Sequence, residues 1–368
     1  MNSIDYVFPY VDCNDEVWHK NYINERKNLN LSTDINLVRF RKWDNLRYIF
    51  RGIEKNMPWV RKIHMIVSNP EQVPDWINTD KVHIVYHKDI IPEEFLPTFN
   101  SCTIEMFLKN IPDLSDRFIY SNDDIFPISP LKEEDFYKNN IPKLFYKTDS
   151  GQQTMFKKVE YGCQKLIADY LGIELPNPLE EFIKIPHTFT PMTKETTRVV
   201  SAMFKNEIYN SCTPFRKEKN YNQYIYTYYQ LLTKQYLDSD RNYKYFQFKK
   251  DAYSIDKAKQ ISDAILNHKV GSICINDTKE FNTDEEFNYI KKIINTAFNE
   301  IFPEKSIYEL NEIELANKDY SIIRKFDKIV VSFAPKDKYE ENKFISKTID
   351  LIKEIKDFGD NSNDSSDE

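Results

Sequence analysis

Short runs of β-branched and aromatic residues recur along the first 130 positions of the chain, separated by polar stretches with helical periodicity. Such runs predict buried strands. Strands that alternate with helices predict an α/β domain whose sheet is mostly parallel, and ligands of such sheets bind beyond the carboxyl ends of the strands. The predicted strands cover residues 4–11, 62–67, 82–86 and 118–121.

Two helices are predicted between these strands. Apolar residues from Leu46 to Ile53 fall on one face of the first helix, and Pro58 would end it. The second helix is predicted at 102–111, where Asn100 or Ser101 would serve as the N-terminal cap.

The pattern from about 135 to 270 predicts mainly helices and is rich in aromatic residues. Tyrosines on several faces of 221–236 predict a buried helix whose hydroxyls reach polar partners. A strand is predicted at 271–276 and a helix at 284–301. Beyond residue 311, a Lys/Glu-rich segment carries an apolar stripe, which is typical of a packed helix or of one that contacts a membrane surface.

The scarcity of glycine narrows the chemistry of the chain. Only 6 of the 368 residues are glycine, and no two of them lie within a single loop. A phosphate-binding loop needs clustered glycines, because its backbone amides must approach the phosphate closely. A Walker loop and a dinucleotide fingerprint are therefore excluded, and any phosphate must be bound by side chains and metal. The formal net charge of -7 argues against a nucleic-acid partner.

The five cysteines lie far apart and form no CxxC pair, which is typical of reduced thiols in a cytosol. The first residues do not resemble a signal peptide. No stretch approaches the roughly 18 consecutive apolar residues that span a bilayer. We therefore expect a cytoplasmic protein, with peripheral attachment at the inner face of the cell membrane as an alternative.

Acidic side chains follow two of the predicted strands, at the edge where a ligand is expected. Asp12 and Asp15 follow the first strand, and Asp123 and Asp124 follow the fourth. Carboxylates can hold a hard divalent cation such as Mg²⁺ through oxygen. If strand geometry persists, only one of Asp123 and Asp124 can be a direct ligand, because adjacent side chains point to opposite faces. A polar turn is the alternative explanation of both clusters.

Several further residues are candidates for phosphate binding or proton transfer. Arg39 and Arg41 would share one face of an extended segment and grip one anion, unless they form a solvated strand edge. His187 stands in a Pro-bounded loop that suits acid–base chemistry or phosphate contact, and Arg216 has a similar setting. Glu105 lies beside an apolar face of the predicted short helix, where a solvated glutamate is the ordinary interpretation. The acidic clusters, the paired arginines and the loop histidine together predict a nucleotide-sugar enzyme that uses Mg²⁺ to manage a diphosphate.

Four blocks of the sequence resemble, in order, the Stealth family of bacterial capsular and cell-surface polysaccharide phosphotransferases. This family is related to the eukaryotic N-acetylglucosamine-1-phosphotransferase. The second block is the most specific, because LPTFNS, Glu105 and FIYSNDD stand at the family's spacing. The blocks are IDYVFPYVDCNDEVW (4–18), the segment from RFRKWDNLRY to SNDDIF (39–126), IPHTFTPMTKE (185–195) with FRKEKNYNQYIYTYYQL (215–231), and ICINDT (273–278) with FPEKSIYEL (302–310).

The resemblance implies a hexose-1-phosphate transferase. Such an enzyme moves sugar-1-phosphate from a nucleotide-sugar, usually UDP-linked, to a hydroxyl of an oligosaccharide or lipid-linked glycan. Either Glu105 or His187 would be the base, and a phosphohistidine at His187 is a further alternative. Cys13-Asn14 replaces the family's Gly-Ser, and Asn220 replaces an Asp. The expected catalytic residues are Glu105, Asp124, His187 and Arg216; the expected ligands of Mg²⁺ or Mn²⁺ are Asp123, Asp124, Asn276 and Asp277; and the expected substrate-binding residues are Asp12, Asp15, Arg39, Arg41 and Asn100.

The expected fold is a Rossmann-like or GT-A-like α/β core with a helical, aromatic-rich insertion. An ordinary metal-dependent glycosyltransferase that releases UDP is one alternative function, and a non-catalytic sugar- or nucleotide-binding protein is another. The expected parts are a nucleotide-sugar-binding part (1–135), a helical acceptor part (136–270), a return to the catalytic core (271–310), a C-terminal helical segment (311–356) and a disordered acidic tail (357–368).

Overall fold

The computed structural model describes residues 3–33, 41–150, 154–248, 254–277 and 283–311. These residues belong to a unit that runs from Met1 to Glu312, and a second unit runs from Ile313 to Glu368. The predictions for Arg39, for the C-terminal apolar stripe and for the acidic tail lie outside the described residues. Within the described ranges, no helix combines the length and the apolar character needed to cross a bilayer.

A five-stranded sheet forms the centre of the first unit, and four of its strands are parallel. The fifth strand is antiparallel and lies at one edge. The mostly parallel α/β sheet expected from the sequence is therefore confirmed, and all four predicted strands take part in it. The order across the sheet is β10 (Thr190–Thr193), β4 (Arg117–Tyr120), β1 (Ile4–Pro9), β2 (Val60–Val67) and β3 (Val82–Tyr86).

Three smaller sheets surround the central one in the described part of the chain. Their short strands pair in both parallel and antiparallel directions. They are β12 (Tyr243–Phe248), β13 (Ser272–Asp277) and β5 (Ile125–Pro127); β11 (Leu237–Asp238), β7 (Ile141–Leu144) and β6 (Tyr137–Lys138); and β8 (Lys147–Asp149) with β9 (Phe182–Lys184).

Helices follow or precede most strands. The predicted helices are present, but not all of them have the predicted length. The predicted helix at 284–301 is present in full. The helix predicted at 102–111 is shorter, because the α-helix ends at Glu105 and a single 3₁₀ turn covers Leu108–Asn110. The helices are α1 (Glu16–Asn28), α2 (Leu46–Asn56), α3 (His87–Ile90), α4 (Ser101–Glu105), α5 (Met155–Leu171), α6 (Lys194–Met203), α7 (Lys205–Ser211), α8 (Tyr224–Leu232), α9 (Ser254–Asn267) and α10 (Asp284–Ile301).

The stretch from 136 to 270 is less purely helical than its sequence pattern indicates. Its described residues form five helices, α5 to α9, and also seven strands, β6 to β12. Most of these strands have two to four residues, which is too short for a two-residue periodicity to be visible. The tyrosine-rich helix α8 is buried as expected, and its Tyr228 hydroxyl donates to the carbonyl of Ile183 at 2.6 Å.

The side chains of β1 point alternately to the two faces of the central sheet, and a buried apolar cluster covers each face. Tyr6 and Phe8 pack into one buried cluster, which also contains α2 and α10. Val7 points to the other face and packs into a second cluster that includes α8. This alternation is the ordinary consequence of a pleated strand that is covered on both faces.

The order of the strands creates a switch point between β1 and β4. The chain passes from β1 to β2 and β3 on one side, and then returns to form β4 on the other side of β1. Crevices at such points, beyond the carboxyl ends of the strands, are the usual ligand sites of α/β sheets. Because β10 is antiparallel to β4, the residues that precede β10 arrive at the same edge.

Candidate active site

A cavity of about 900 Å³ lies at this edge of the sheet. Most of the residues that the sequence singles out line it, although they come from four separate blocks. Asp15 and Asn100 do not line it, and Arg39 lies outside the described residues. The predicted residues that line the cavity are Asp12, Arg41, Glu105, Asp123, Asp124, His187, Arg216, Asn276 and Asp277.

Asp124 is the point where three blocks of the sequence meet. His187 Nε2 lies 3.2 Å from Asp124 Oδ1, and the thiol of Cys274 donates to Asp124 Oδ2 at 3.4 Å. Burial by itself would lower the pKa of His187, but the charge of Asp124 and its hydrogen bond raise the pKa above its ordinary value. His187 therefore holds a proton more readily than an isolated histidine.

Two strand pairings bring these side chains together. Thr190 of β10 pairs with Tyr120 of β4 in the antiparallel direction, so the loop that contains His187 reaches the end of β4. Cys274 of β13 pairs with Ile125 of β5, directly after Asp124. The sequence contains all of these residues, but only the neighbour relations of the strands place them side by side.

Asp123 has a distinct environment from its neighbour Asp124. Burial, and then repulsion from Asp124, raise the pKa of Asp123 to about 7. Two carboxyl groups this close do not ionise independently. A bound cation would relieve this repulsion, so the pair suits a divalent ion.

Glu105 is buried at the end of α4, and both of its carboxylate oxygens have partners. The Tyr120 hydroxyl donates to Oε1 at 3.0 Å, and the backbone N–H of Gln223 donates to Oε2 at 3.0 Å. Burial raises the pKa of Glu105, although these hydrogen bonds and the charge of Arg216 oppose the rise. Glu105 is therefore a fixed part of the cavity wall rather than the solvated residue of the alternative interpretation.

Arg216 brings a positive charge to the same wall. Its guanidinium donates to the hydroxyl of Ser101 and lies 5.9 Å from the ring centroid of Phe156. Its charge also acts on Glu105. This half-buried guanidinium is suited to an anionic substrate group in the cavity.

Asn276 and Asp277 are the last two residues of β13 and line the cavity, but their environments differ. Arg41 Nε lies 2.8 Å from Asp277 Oδ2, and the indole N–H of Trp43 donates to the same oxygen at 3.1 Å. The buried Oδ1 of Asn276 has no hydrogen-bond partner in the described part of the chain. The structure thus pairs Arg41 with Asp277 and leaves the amide oxygen of Asn276 available to a ligand.

The remaining predicted substrate-binding residues have structural contacts. Asp15 caps α1 by accepting from the N–H of Val17 at 2.9 Å, and Asn100 caps α4 by accepting from the N–H of Cys102 at 3.1 Å. Asp12 reaches the cavity wall, where Lys42 Nζ lies 3.2 Å from its carboxylate. A substrate contact for these three residues stays a prediction.

Two further residues of the site, one in contact with Asp124 and one on the cavity wall, were not predicted from the sequence. Cys274 stands two positions before Asn276 on β13, and a shared strand face was the only available signal. Glu160 lies inside α5, is fully buried, and its Oε2 has no partner among the described residues. No local pattern distinguishes Glu160 from the many other glutamates of the chain.

Side chains that can hold a metal ion are present in the described residues. Asp124, His187 and Cys274 each offer a ligand atom, and the three atoms lie within 4.8 Å of one another. Burial, and then the charge of Asp124, raise the pKa of the Cys274 thiol, and its sulfur is a softer ligand than the carboxylate oxygens. The oxygens of Asp123, Asp124 and Asn276 fit a hard ion such as Mg²⁺ or Mn²⁺ better.

Comparison with known proteins gives a consistent set of relatives. Residues 39–144 match the family described as Stealth protein CR2, conserved region 2. The chain is 31% identical over 353 residues to a capsular polysaccharide phosphotransferase WcwK of Streptococcus pneumoniae, covering 84% of this chain and 99% of the relative. It is 30% identical over 349 residues to the exopolysaccharide phosphotransferase cps2G of Lactiplantibacillus plantarum, covering 83% and 96%.

Similar solved structures are more distant. Mouse xyloside xylosyltransferase 1 superposes with a TM-score of 0.31 at 9% identity, over 74% of this chain and 97% of that one. Glucosyl-3-phosphoglycerate synthase from Mycobacterium tuberculosis gives a TM-score of 0.22 at 10% identity, over 82% and 80%. At such TM-scores the likeness carries no information about the site.

Proposed function

The chain belongs to the Stealth family of polysaccharide phosphotransferases, and from this we propose that it transfers sugar-1-phosphate from a nucleotide-sugar to a glycan hydroxyl. The product is a phosphodiester link in a capsular or cell-surface polysaccharide. One observation carries the assignment of the site: Glu105, Asp124, His187 and Arg216 come from distant parts of the sequence and line a single cavity.

The proposed reaction is a displacement at phosphorus. The acceptor hydroxyl attacks the phosphorus that bears the sugar, and a new oxygen–phosphorus bond forms. The bond from that phosphorus to the bridging oxygen breaks, and a nucleoside monophosphate leaves. The hydroxyl proton passes to a base of the enzyme. The anomeric carbon takes no part, so the sugar keeps its configuration.

His187 is the base that we propose, in preference to Glu105. Both carboxylate oxygens of Glu105 already accept hydrogen bonds inside the protein. The Nε2 of His187 faces Asp124, whereas its Nδ1 forms no hydrogen bond with any residue that the structure describes. With Asp124 holding the Nε2 proton, Nδ1 can accept the proton of the acceptor hydroxyl.

The negative charge of the phosphates needs a counter-charge during the displacement. Arg216 supplies a fixed guanidinium on the cavity wall. The oxygens of Asp123, Asp124 and Asn276 would hold Mg²⁺ or Mn²⁺, which when bound adds neutralising charge at the diphosphate.

Removal of divalent ions with EDTA should abolish transfer, and addition of excess Mg²⁺ or Mn²⁺ should restore it. Full activity in EDTA would contradict a metal requirement.

The donor nucleotide is proposed to bind at the switch point between β1 and β4. Residues that follow β1, including Tyr10 and Asp12, line that part of the cavity. Arg47 and Trp76 also line the cavity and stack on each other, with the guanidinium carbon 5.2 Å from the ring centroid. Flat aromatic and guanidinium surfaces suit a nucleotide base.

The decisive experiment identifies both products. The protein is incubated with a panel of nucleotide-sugars, oligosaccharide acceptors and Mg²⁺, and ³¹P NMR then detects any phosphodiester. The proposal requires a phosphodiester together with release of a nucleoside monophosphate such as UMP. Release of UDP with a plain glycosidic product would identify an ordinary glycosyltransferase. Tight binding of a nucleotide-sugar without any turnover would identify a binding protein.

The proposed cellular setting follows from the acceptor. A capsular or lipid-linked glycan is assembled at the cytoplasmic face of the membrane, so we place the protein in the cytoplasm with peripheral membrane contact. Fractionation of cells that express the full chain tests this placement, because the protein should divide between the soluble and the membrane fractions. Release of the membrane-associated part by high salt would indicate a peripheral attachment.

A further inference from the structure

Three lysines line the cavity. They belong to two strands and a helix outside the central sheet, away from the ends of β1 and β4 in the sequence. Lys147 lies on β8, Lys184 on β9, and Lys157 in the first turn of α5. We call these residues the lysine cluster. The proposed reaction assigns no role to this cluster, because Arg216 and the proposed metal site already supply the counter-charge for the diphosphate.

The lysine cluster contains an unfavourable charge pairing. Lys147 and Lys184 are directly opposite each other in the antiparallel pair of β8 and β9. Like charges in opposite positions of neighbouring strands destabilise the pair. A surface that keeps such a pair at the wall of a cavity is suited to an anion that neutralises both charges.

Among the described residues, one carboxylate forms ion pairs with the lysine cluster, and it pairs with two of the three ammonium groups. Asp149 Oδ2 lies 3.2 Å from Lys157 Nζ and 3.2 Å from Lys184 Nζ. Lys147 is exposed and forms no ion pair in the described part of the chain. The cluster therefore keeps a net positive charge.

The N-terminus of α5 adds to this positive potential. Thr154 caps the 17-residue helix by accepting from the N–H of Lys157 at 3.3 Å, and residues 154–157 line the cavity. The first turn of a helix carries a partial positive charge and unpaired N–H groups, which favour anions.

Glu160, one turn further along α5, offers a different contact. Its Oε1 accepts from the N–H of Ile185 at 3.2 Å, and its buried Oε2 has no partner among the described residues. The charges of Lys184 and His187 both act on it. A sugar hydroxyl close to His187 would satisfy this oxygen.

We propose that the lysine cluster is a subsite for the acceptor, and that it recognises a phosphate carried by the acceptor glycan. The phosphate binds between Lys147 and Lys184, and a sugar hydroxyl of the same acceptor donates to Glu160. This inference rests on the proposed function, since it assigns the second substrate of that reaction. Two sources supply the same chemistry: a phosphodiester within the growing glycan, or the diphosphate of a lipid carrier.

A binding experiment tests the anion site without any turnover. Inorganic pyrophosphate is titrated calorimetrically into the full chain in the presence of saturating UMP, which occupies the proposed donor site. The double variant Lys147→Ala/Lys184→Ala should bind pyrophosphate about tenfold more weakly, as expected for loss of charge-assisted hydrogen bonds. Lys165→Ala is the control, because Lys165 lies on the exposed side of α5, does not line the cavity and pairs with Asp169. Equal affinity in all three proteins would overturn the proposal.

A kinetic experiment then separates the acceptor from the donor. In the double variant, the KM for a phosphate-bearing acceptor should rise about tenfold, while the KM for the nucleotide-sugar should stay unchanged. An acceptor of the same sugars without phosphate should react equally with both proteins. A rise in the KM of the donor alone would assign the lysines to the nucleotide-sugar and refute the acceptor subsite.

Two acceptors distinguish the sources of the phosphate. One is an oligosaccharide with an internal phosphodiester, and the other is the same oligosaccharide on a lipid diphosphate. The acceptor whose KM rises when the lysines are substituted is the one that the cluster recognises. If the KM of neither acceptor changes, the subsite is refuted. If no acceptor reacts with the unaltered protein, the proposed function fails, whereas the pyrophosphate titration still decides the anion site.

Discussion

His187 Nε2 lies 3.2 Å from Oδ1 and 3.4 Å from Oδ2 of Asp124, although the two residues are 63 positions apart in the chain. The carboxylate thus holds one nitrogen of the ring and fixes its orientation. Such a pair is the arrangement by which a histidine becomes an oriented base. In the proposed mechanism, Asp124 would therefore orient His187 in addition to holding the metal ion.

Substitution of either partner should abolish transfer without unfolding the protein. His187→Ala and Asp124→Asn should each lower kcat by about 100- to 10,000-fold, because an oriented general base contributes this much to the rate. Initial rates at saturating donor and acceptor measure the loss, and circular dichroism verifies the fold. The control is His268→Asn, since His268 is exposed and does not line the cavity. A folded Asp124→Asn protein with unaltered turnover would refute the assignment.

The pH dependence of the transfer rate should follow the protonation of His187, which Asp124 influences. Asp124 raises the pKa of His187 above its ordinary 6.5, and only the unprotonated ring can accept a proton. The rate should therefore increase with pH through an apparent pKa above 6.5. Asp124→Asn removes the negative charge, so the rising limb should move to lower pH while the plateau falls. Profiles of kcat/KM from pH 5 to 9 measure both effects, and Asp169→Asn, on the outside of α5, should leave the limb in place.

Gly52 should be essential to the packing of α2. A Cβ atom at Gly52 would lie 2.5 Å from the carbonyl oxygen of Pro127, which belongs to β5 and cannot move aside freely. Gly52→Ala should therefore destabilise the protein by about 1–3 kcal/mol, despite the better helix propensity of alanine. Gly162→Ala in α5 is the matched control, because its Cβ would meet only Tyr221 Cε1 at 4.0 Å. That variant should gain up to about 1 kcal/mol, and urea unfolding measures both.

A second charged cluster, remote from the cavity, should control stability in acid. The buried carboxylate of Asp5 accepts two bonds of 2.8 Å from Arg61 and lies 2.9 Å from His64 Nε2. Burial would raise the pKa of Asp5, but these hydrogen bonds lower it well below its ordinary value. A lowered folded pKa stabilises the protein above the unfolded pKa of about 4, and this stabilisation is lost as the pH falls further.

Asp5→Asn should cost about 1–3 kcal/mol at pH 7, because the buried acceptor loses its charge and with it the charge-assisted hydrogen bonds from Arg61. The difference from the unaltered protein should shrink below pH 4. Urea unfolding at pH 3, 4, 5 and 7 measures the difference. Asp113→Asn removes the exposed partner of the same Arg61 and should change stability much less. A constant difference from pH 3 to 7 would contradict the role of Asp5.

Local patterns were sufficient for the elements that the core buries. The strands β1 to β4 and the helices α2 and α10 were predictable, because their apolar residues repeat with the period of the element. The strands of two to four residues between 136 and 270 were not, because so short a segment has no visible period. The caps formed by Asp15 and Asn100 were open to two interpretations, since an aspartate or asparagine in a loop suits a ligand or a helix start equally.

The sequence by itself determined the family, the α/β class and nine of the residues that line the cavity. Only the tertiary structure decided their partners: His187 with Asp124, Asp277 with Arg41, and Lys147 opposite Lys184. Partners depend on which strands are neighbours and in which direction they run. That choice is made by long-range packing, and the periodicity of a single segment does not contain it.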